Sequence, residues 1–262
     1  MKKSPLLLLL LFCICSTNYA QQADEDILQP ILLDKSVLSG VGLKKIDLKN
    51  EPEKDFYQKR LYRGEDISIY VVSTETWNNK MENFPFDEFI YMFHGEAVVK
   101  PENGKTQLFQ SGDYFFAPKG YTGEWEIRAG DYLHYELSVI ATKRSDSTTI
   151  QKDATHQLFD RSTLSGAAIT LDENGQFAEV LEKGAELTIQ LNAELPKEAS
   201  VNESSKEQLI HVLSGQITII SQDNTEQIFY AGDFFVLPES FTGKWKSEGH
   251  GLVKYLIVEK TS

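Results

Sequence analysis

From Val37 onwards, the chain alternates short apolar runs with turn-forming residues. Gly, Asn, Asp and Pro separate the runs, and the spacing of three and four residues that marks an amphipathic helix is nearly absent. Short apolar or alternating runs bounded by such residues are typical of strands. The pattern therefore predicts an all-β chain of antiparallel strands in a sandwich or barrel. The runs are VLSGVG, ISIYVVS, EFIYMF, EAVVK, TQLFQ, DYFFAP, EWEIR and YLHYELSVI.

Two halves of the chain repeat one sequence pattern. DEFIYMFHG and QSGDYFFAPKGYTGEW lie between Asp87 and Trp125, and EQLIHVLSG and YAGDFFVLPESFTGKW lie between Glu207 and Trp245. A displacement of 120 positions without a gap relates the residues that recur, which are Gly95, Gly112, Asp113, Phe115, Pro118, Thr122, Gly123 and Trp125. This duplication predicts two similar barrels in tandem. The predicted segments are a leader at 21–36, a first barrel at 37–142, a linker at 143–157 and a second barrel at 158–262.

Residues 1–20 have the composition of a secretory signal peptide. Two lysines precede an apolar run from Leu6 to Cys15, and small and polar residues follow up to Ala20. This run is much shorter than the roughly 20 residues that cross a bilayer. We therefore expect an exported protein, periplasmic or extracellular, with no membrane contact after cleavage. Both cysteines of the chain lie in this run, so the mature protein has none.

Acidic residues outnumber basic ones. The chain has 39 Asp and Glu against 26 Lys and Arg, a formal charge of -13, and loss of Lys2 and Lys3 with the signal peptide makes it -15. Such a surface repels phosphate backbones and anionic lipid headgroups. We expect no nucleic-acid partner. A small-molecule ligand remains the expected partner, and a homodimer is an open alternative to the monomer.

The spacing of the repeated motifs resembles the two-motif signature of cupin barrels. Glu88 is followed by Gly95 and then by a G-D-x4-P motif that runs from Gly112 to Pro118. PFDEFIYMFHG and GDYFFAPKGYTGEW are most similar to cupin domains of the ethanolamine-utilisation and ureidoglycine-aminohydrolase type. The resemblance covers nearly all of both halves and implies a double-stranded β-helix, or jelly roll, in each. Because such barrels host many chemistries, it implies a fold rather than a reaction.

Metal-binding cupins supply imidazoles that this chain lacks. The resemblance implies a His-x-His pair shortly before the Glu and a third His after the P-x-G motif. The matching places hold Met81–Phe84 and Gly123 in the first half, and Val201–Ser204 and Gly243 in the second, where Gln208 replaces the Glu. One carboxylate does not make a transition-metal site, so we expect no metal cofactor. Mn, Fe or Zn is the alternative, with nonstandard ligands beside Glu88 such as Glu75, Glu82 or His134.

Side chains along a strand alternate between its two faces, and this alternation indicates which residues could face a barrel cavity. If Glu88 points inward, as the resemblance implies, Ile90 and Met92 share its face, whereas His211 in the second half faces outward as a packing or inter-barrel residue. Glu88 in apolar surroundings suits a general acid or base, or a hydrogen-bonding anchor, and a structural carboxylate is the alternative. It is the one candidate catalytic residue. The candidate ligand-binding residues are Trp77, Glu88, Met92, Trp125, Tyr135, Gln208, Trp245 and Tyr255.

Two questions about these candidates stay open in the sequence. Trp125 shares the parity of Gly123, so its indole is either a plug that fills the barrel or a platform for a flat polar ligand. On the last strand, we expect Tyr135 to face the cavity and His134 to be peripheral. The opposite register would make His134 a candidate base.

These observations leave three functional hypotheses. The leading one is a metal-independent bicupin that binds a small polar or carbohydrate-derived molecule in an aromatic-lined cavity. The second is a metal-dependent enzyme of the ureidoglycine-aminohydrolase or sugar-isomerase kind with nonstandard ligands. The third is a structural protein with both barrels plugged. The sequence does not decide whether the protein is an enzyme.

Overall fold

The computed structural model describes residues 28–49, 51–143, 154–166 and 169–262. Nearly all regular structure in them is strand, which confirms the all-β prediction; two short helices are Lys35–Leu38 (α1) and Arg161–Ser165 (α2). The run VLSGVG is an exception, because its first residues belong to α1 and not to a strand. The predicted signal peptide and most of the predicted linker lie outside the described residues. None of the described helices has the length and apolar character needed to cross a bilayer.

Two facing sheets form the first barrel. A seven-stranded sheet has the order β12-β9-β6-β11-β4-β3-β2, and a four-stranded sheet has the order β5-β10-β7-β8. The strands are Lys44–Lys45 (β2), Phe56–Arg63 (β3), Ile67–Thr74 (β4), Trp77–Met81 (β5), Glu88–His94 (β6), Glu96–Pro101 (β7), Gln107–Gln110 (β8), Tyr114–Ala117 (β9), Gly123–Arg128 (β10), His134–Ala141 (β11) and, from beyond the linker, Gln157–Phe159 (β12).

The second barrel repeats this arrangement. Its sheets have the orders β1-β19-β16-β21-β14-β13 and β15-β20-β17-β18. The strands are Gln176–Lys183 (β13), Leu187–Glu194 (β14), Lys197–Val201 (β15), Gln208–Ser214 (β16), Gln216–Ser221 (β17), Glu226–Tyr230 (β18), Phe234–Leu237 (β19), Gly243–Glu248 (β20), Val253–Lys260 (β21) and, from the start of the described chain, Ile31–Leu32 (β1).

Alternation along the central strands separates the barrel interiors from the interface between the barrels. On β6, Ile90 and Met92 lie in the core of the first barrel. Phe89 of the same strand lies instead in a shared core with Leu209 and Phe234 of the second barrel. The parity predicted for β6 is therefore confirmed. The larger sheets of the two barrels pack on each other, and the ring of Tyr91 lies 5.9 Å from that of His211 across this interface.

Each barrel is closed by a segment that precedes the other barrel in the chain. β1 pairs with β19 of the second barrel, and β12 pairs with β9 of the first. A short helix follows each strand, and an aspartate caps each helix by accepting from a backbone N–H two residues later. We call these two strand–helix segments the arms. The sequences DKSVLSG at 34–40 and DRSTLSG at 160–166 show that the arms also repeat. The arms extend the duplication to residues on the N-terminal side of the predicted first barrel.

Buried carboxylates tie each barrel to a hairpin of the other. Asp87 accepts hydrogen bonds from the backbone N–H groups of Glu186 (2.6 Å) and Leu187 (3.2 Å) in the second barrel. Glu207, 120 positions later, accepts from the backbone of residues 65–67 in the first barrel at 2.8 to 3.2 Å. These reciprocal contacts give the pair of barrels a two-fold character.

The last strand does not follow the displacement of 120. Glu136 pairs with Met92 and Tyr255 pairs with Val212, so Glu136 and Tyr255 occupy equivalent places 119 positions apart. The second copy has one residue fewer between β20 and β21 than the first has between β10 and β11. The expectation that Tyr135 faces the cavity is therefore wrong: Tyr135 packs against the shared inter-barrel core, and His134 and Glu136 line the barrel interior.

Candidate functional site

The first barrel contains a cavity of about 70 Å³ with a mostly apolar wall. Aromatic side chains come from β3, β5, β10 and the loop before β6. Polar groups enter at five places, of which three carry ionisable side chains. The lining residues are Phe56, Val72, Thr74, Trp77, Asn79, Met81, Phe84, Phe86, Glu88, Trp125, Ile127, His134 and Glu136. An apolar pocket with a few convergent polar groups is the usual form of a small-molecule site.

Glu88 is the polar group that β6 contributes. It is the first residue of the strand, and the alternation that buries Ile90 and Met92 in the barrel turns its carboxylate inward. On the neighbouring strand β11, the same alternation places His134, Glu136 and Ser138 on the inner face, and Ser138 Oγ donates a hydrogen bond to Glu88 Oε1. The two strands thereby bring two carboxylates and an imidazole to one cavity.

The surroundings of Glu88 favour the neutral form of its carboxyl group. Burial raises the pKa of its carboxyl group to about 8, the negative charge of Glu136 adds to the rise, and the hydrogen bond from Ser138 opposes it. The Glu88 side chain is therefore neutral in the unliganded barrel at pH 7. It can donate a hydrogen bond, or release its proton when positive charge arrives.

His134 orients the second carboxylate. Its Nε2 lies 2.9 Å from Glu136 Oε2, whereas its Nδ1 is buried without a hydrogen-bond partner among the described residues. Glycine at position 95 leaves room for this ring. Gly95 has φ +92, and a Cβ there would lie 2.8 Å from His134 Nδ1.

Trp125 forms one wall of the cavity. Its ring centroid lies 5.7 Å from that of Phe84 and 4.7 Å from that of His156. Its indole N–H is buried and has no partner among the described residues. Buried donors normally find a partner, so this group is available to a ligand.

His156 supports Trp125 from outside the cavity. It belongs to the arm before β12 and packs edge-on against Tyr121 and Trp125. Burial lowers the pKa of His156 to about 3, so the ring is neutral. Periodicity in the sequence gives no sign of this role, because His156 lies in the predicted linker. The repeat of DKSVLSG as DRSTLSG, a few residues further on, is the one signal that the segment is structured.

In the second barrel, the polar side chains at the matching positions form hydrogen bonds and ion pairs with one another. Trp245 Nε1 donates to Glu194 Oε1 at 2.7 Å, and Lys197 Nζ pairs with Glu194 Oε2 at 2.9 Å. Gln208 Nε2 donates to Glu259 Oε2 at 2.8 Å. Sheet pairing gives the counterparts in the first barrel: Glu194 matches Thr74, Lys197 matches Trp77, and Gln208 matches Glu88.

The structure brings some of the predicted site residues together and separates others. Trp77, Glu88 and Trp125 line the cavity of the first barrel. Met92 is fully buried in the core of that barrel and is not among the lining residues. Gln208, Trp245 and Tyr255 belong to the second barrel, where the rings of Trp245 and Tyr255 are 5.0 Å apart. Tyr135 lies outside both barrels, stacked at 5.3 Å on Phe93.

The sequence did contain the signal for the register of the last strand. A displacement of 119 matches Leu137 with Leu256 and Val139 with Val258, whereas 120 matches Val139 with the charged Glu259. The recurrence of tyrosine at 135 and 255 conceals this, because the two tyrosines are not structurally equivalent. Glu136 was missed as a cavity residue for that reason.

The residues present fit a transition metal poorly. Among the described residues, no group of three or more His, Cys, Asp or Glu is arranged to hold an ion. At the place of the third histidine, a Cβ on Gly123 would collide with Lys100 O and Tyr121 Oη. Glu75 pairs with Lys54 at 3.2 Å outside the cavity, and Glu82 is exposed. Of the suggested nonstandard ligands, Glu75 and Glu82 therefore lie away from Glu88, whereas His134 shares its cavity and contacts Glu136.

Two jelly-roll barrels that share an inter-sheet core define the chain as a bicupin. Residues 69–136 and 198–255 match the model of the EutQ-like cupin domain, so the chain is a bicupin that resembles EutQ-type cupins. No curated protein matches it.

Solved structures share this fold at low sequence identity. One from Pseudomonas syringae, a protein of unknown function of the DUF861 family, is 15% identical with a TM-score of 0.62 over 88% of this chain and 100% of that one. A cupin 2 barrel protein from Leptotrichia buccalis is 15% identical, with a TM-score of 0.57 and coverage of 91% and 99%. Salicylate 1,2-dioxygenase from Pseudoaminobacter salicylatoxidans is 10% identical, with a TM-score of 0.60 and coverage of 88% and 83%. At such identities the likeness shows the fold alone.

Proposed function

We propose that the protein binds a small polar or carbohydrate-derived molecule in the cavity of the first barrel, and that the second barrel serves as its structural partner. The observation that carries this proposal is the difference between the barrels. Glu194 satisfies the indole N–H of Trp245, whereas the shorter Thr74 leaves the indole N–H of Trp125 without a partner beside a cavity. The signal peptide predicted at 1–20 would place this binding outside the cytoplasm.

The volume of the cavity limits the size of the ligand. A water molecule needs roughly 10 to 15 Å³ of such space, so 70 Å³ accepts a group of a few non-hydrogen atoms. The aromatic rings supply contact area, and the carboxyl groups and the indole N–H supply directional bonds. A larger ligand would have to leave part of its surface outside the barrel.

A variant that closes the cavity tests the proposal. Thr74→Met gives position 74 a side chain of the length that Glu194 has at the matching place, without a charge, and Met fills irregular space well. We expect a folded protein with an equal or higher melting temperature. Compounds from a panel of sugars, ureido compounds, alcohols and amines that raise the melting temperature of the wild type should no longer do so.

Glu194→Gln in the second barrel is the matched control. It keeps an oxygen acceptor for Trp245 and leaves the first barrel unchanged, so the ligand-induced shift should persist. A shift retained in Thr74→Met but lost in Glu194→Gln would place the site in the second barrel and overturn the proposal.

The metal-dependent enzyme remains the alternative and has its own test. Elemental analysis of the gently purified protein should find no stoichiometric Mn, Fe or Zn. Stoichiometric metal in the wild type that disappears in Glu88→Ala would favour that alternative.

A further inference from the structure

The second barrel neutralises its interior acids with its own lysines. Glu194 pairs with Lys197 Nζ at 2.9 Å, and Glu259 pairs with Lys206 Nζ at 3.1 Å. Glu194 is 2% exposed. Ammonium groups beside such carboxylates offset part of the cost of burying a negative charge.

The first barrel holds aromatic rings at the places of these two lysines. Trp77 stands at the place of Lys197 and Phe86 at the place of Lys206, and both rings line the cavity that contains Glu88 and Glu136. No Lys or Arg is among the described residues that line this cavity. The partners of its two carboxyl groups are the Ser138 hydroxyl and the His134 ring.

Carboxylates surrounded by aromatic faces form the chemical complement of an organic cation. The face of an aromatic ring carries partial negative charge and attracts ammonium groups within about 6 Å of its centre. Trp77, Phe84 and Trp125 present such rings in the same cavity as the two carboxyl groups. The unpartnered indole N–H of Trp125, on a side chain that is 5% exposed, is a second and independent sign that a ligand completes this site, and as a donor it calls for an acceptor on that ligand.

We propose that the ligand of the first barrel is a small organic ammonium ion, which pairs with the carboxyl groups of Glu88 and Glu136 and presents a hydrogen-bond acceptor to the indole N–H of Trp125. This inference rests on the function proposed above and names the chemical class of its ligand. A metal cation is the less suitable occupant, because the described acids and histidines do not converge as metal ligands. Small organic anions should be excluded by the charge of Glu136.

Binding of a cation should be coupled to release of a proton. Glu88 holds a proton at pH 7, since burial raises its pKa to about 8. The titratable groups that face it are Glu136 and His134 on β11, and Tyr70 on β4 packs against the same core. A positive charge beside Glu88 favours its ionised form, so affinity should rise by up to about tenfold per pH unit between pH 6 and 8.

Titration with tetramethylammonium and ethylammonium chloride tests the proposal on the mature protein at constant ionic strength. Two of the three tryptophans, Trp77 and Trp125, line the cavity, so intrinsic fluorescence reports on occupancy. We expect both cations to bind, with proton release measured by calorimetry in buffers of different ionisation enthalpy. Sodium propionate should not bind.

The Glu88→Gln/Glu136→Gln double variant provides the decisive comparison. The second barrel already carries Gln208 at the place of Glu88, so this amide is compatible with the fold. We expect the affinity for both cations to fall at least tenfold at pH 7.5, with a circular dichroism spectrum like that of the wild type. Glu194→Gln is the control and should bind the cations as the wild type does.

Three outcomes would overturn the inference. One is equal cation affinity in the double variant and the wild type. Another is stoichiometric binding of Mn²⁺ or Zn²⁺ that the double variant loses while tetramethylammonium does not bind. In the third, neutral compounds bind and Thr74→Met abolishes their binding, but neither ammonium ion binds; the proposed function then stands and only the ligand class is wrong.

Discussion

At the scale of single residues, the contrast between Glu88 and Gln208 separates the two barrels. Glu88 is the first residue of β6, and Gln208 is the first residue of the equivalent strand β16. Only Glu88 can ionise, and it shares its cavity with Glu136. A buried carboxyl group that keeps its proton at pH 7 can ionise when a positive charge arrives beside it, whereas an amide cannot. The first barrel is thus the one equipped to react to a ligand or to a change in pH.

Replacement of Glu88 should alter how stability depends on pH. The native state holds a proton that the unfolded state releases near pH 4.5, since the native pKa is about 8. The wild type should therefore lose stability relative to Glu88→Gln as pH rises from about 5 to 8, by about 1 kcal/mol per pH unit. Below pH 4 the difference should no longer change with pH.

Urea denaturation of both proteins at pH 4 to 8.5 measures this difference. The lowered pKa values of the buried His156 and His211 also contribute to the pH dependence, but equally in the two proteins, so they cancel. A constant stability difference across the range would contradict the native protonation of Glu88.

At the scale of elements, the exchanged arms and the carboxylate contacts hold the barrels together in different ways. Lys35 of the first arm pairs with Asp233 at 2.6 Å, and Arg161 of the second arm pairs with Asp113 at 2.7 Å, but both basic side chains are 66% exposed. Solvent weakens such pairs. Asp87, by contrast, is 1% exposed and accepts three backbone hydrogen bonds, one of them from Lys119 N at 2.8 Å. The buried contacts should therefore dominate the coupling of the barrels.

Asp87→Asn should destabilise the protein more than removal of an exposed ion pair. The amide has one oxygen in place of two, and its NH2 group would face backbone donors. We expect this to lower the free energy of unfolding by about 3 kcal/mol. Lys35→Ala is the control and should cost less than about 1 kcal/mol. Urea titration at pH 7 distinguishes them, and equal losses would show that Asp87 does not carry the coupling.

At the scale of the whole molecule, the larger sheets of the two barrels form one apolar layer between them. The inner face of each barrel packs around its own core, and the outer face of each large sheet packs on that of the other. Leu187, Ile189 and Leu191 of β14 are fully buried in this layer. Either barrel alone would expose that face to water, at a cost of roughly 25 cal/mol per Å² of apolar surface.

The isolated second half should therefore not be a stable monomer. Residues 154–262 include one arm and one barrel, and the two-fold character of the contacts lets a second copy supply the missing partner. We expect a dimer, or aggregation, when this half is produced alone. Light scattering coupled to size exclusion measures its mass, and a soluble folded monomer would contradict the shared core.

The sequence by itself determined the strand content, the duplication and the alternation along β6, and the cupin resemblance supplied which of its faces points inward. These features follow from local rules, since alternation needs only neighbouring residues and a repeat needs only comparison of the two halves. Trp77 and Trp125, both candidate ligand-binding residues in the sequence, line the cavity of the first barrel.

Only the tertiary structure decided the register of β11, the exchange of the arms and the difference between the cavities. The recurrence of tyrosine at 135 and 255 conceals the register of β11, because the loop before β21 is one residue shorter than the loop before β11 and a shift of one residue reverses every side chain of a strand. His156 contacts Trp125 because the strand that follows it, β12, pairs with β9, which is distant in sequence. The pairing of Glu194 with Trp245, and the lack of a partner at Trp125, depend on atoms far apart in sequence that packing alone brings together.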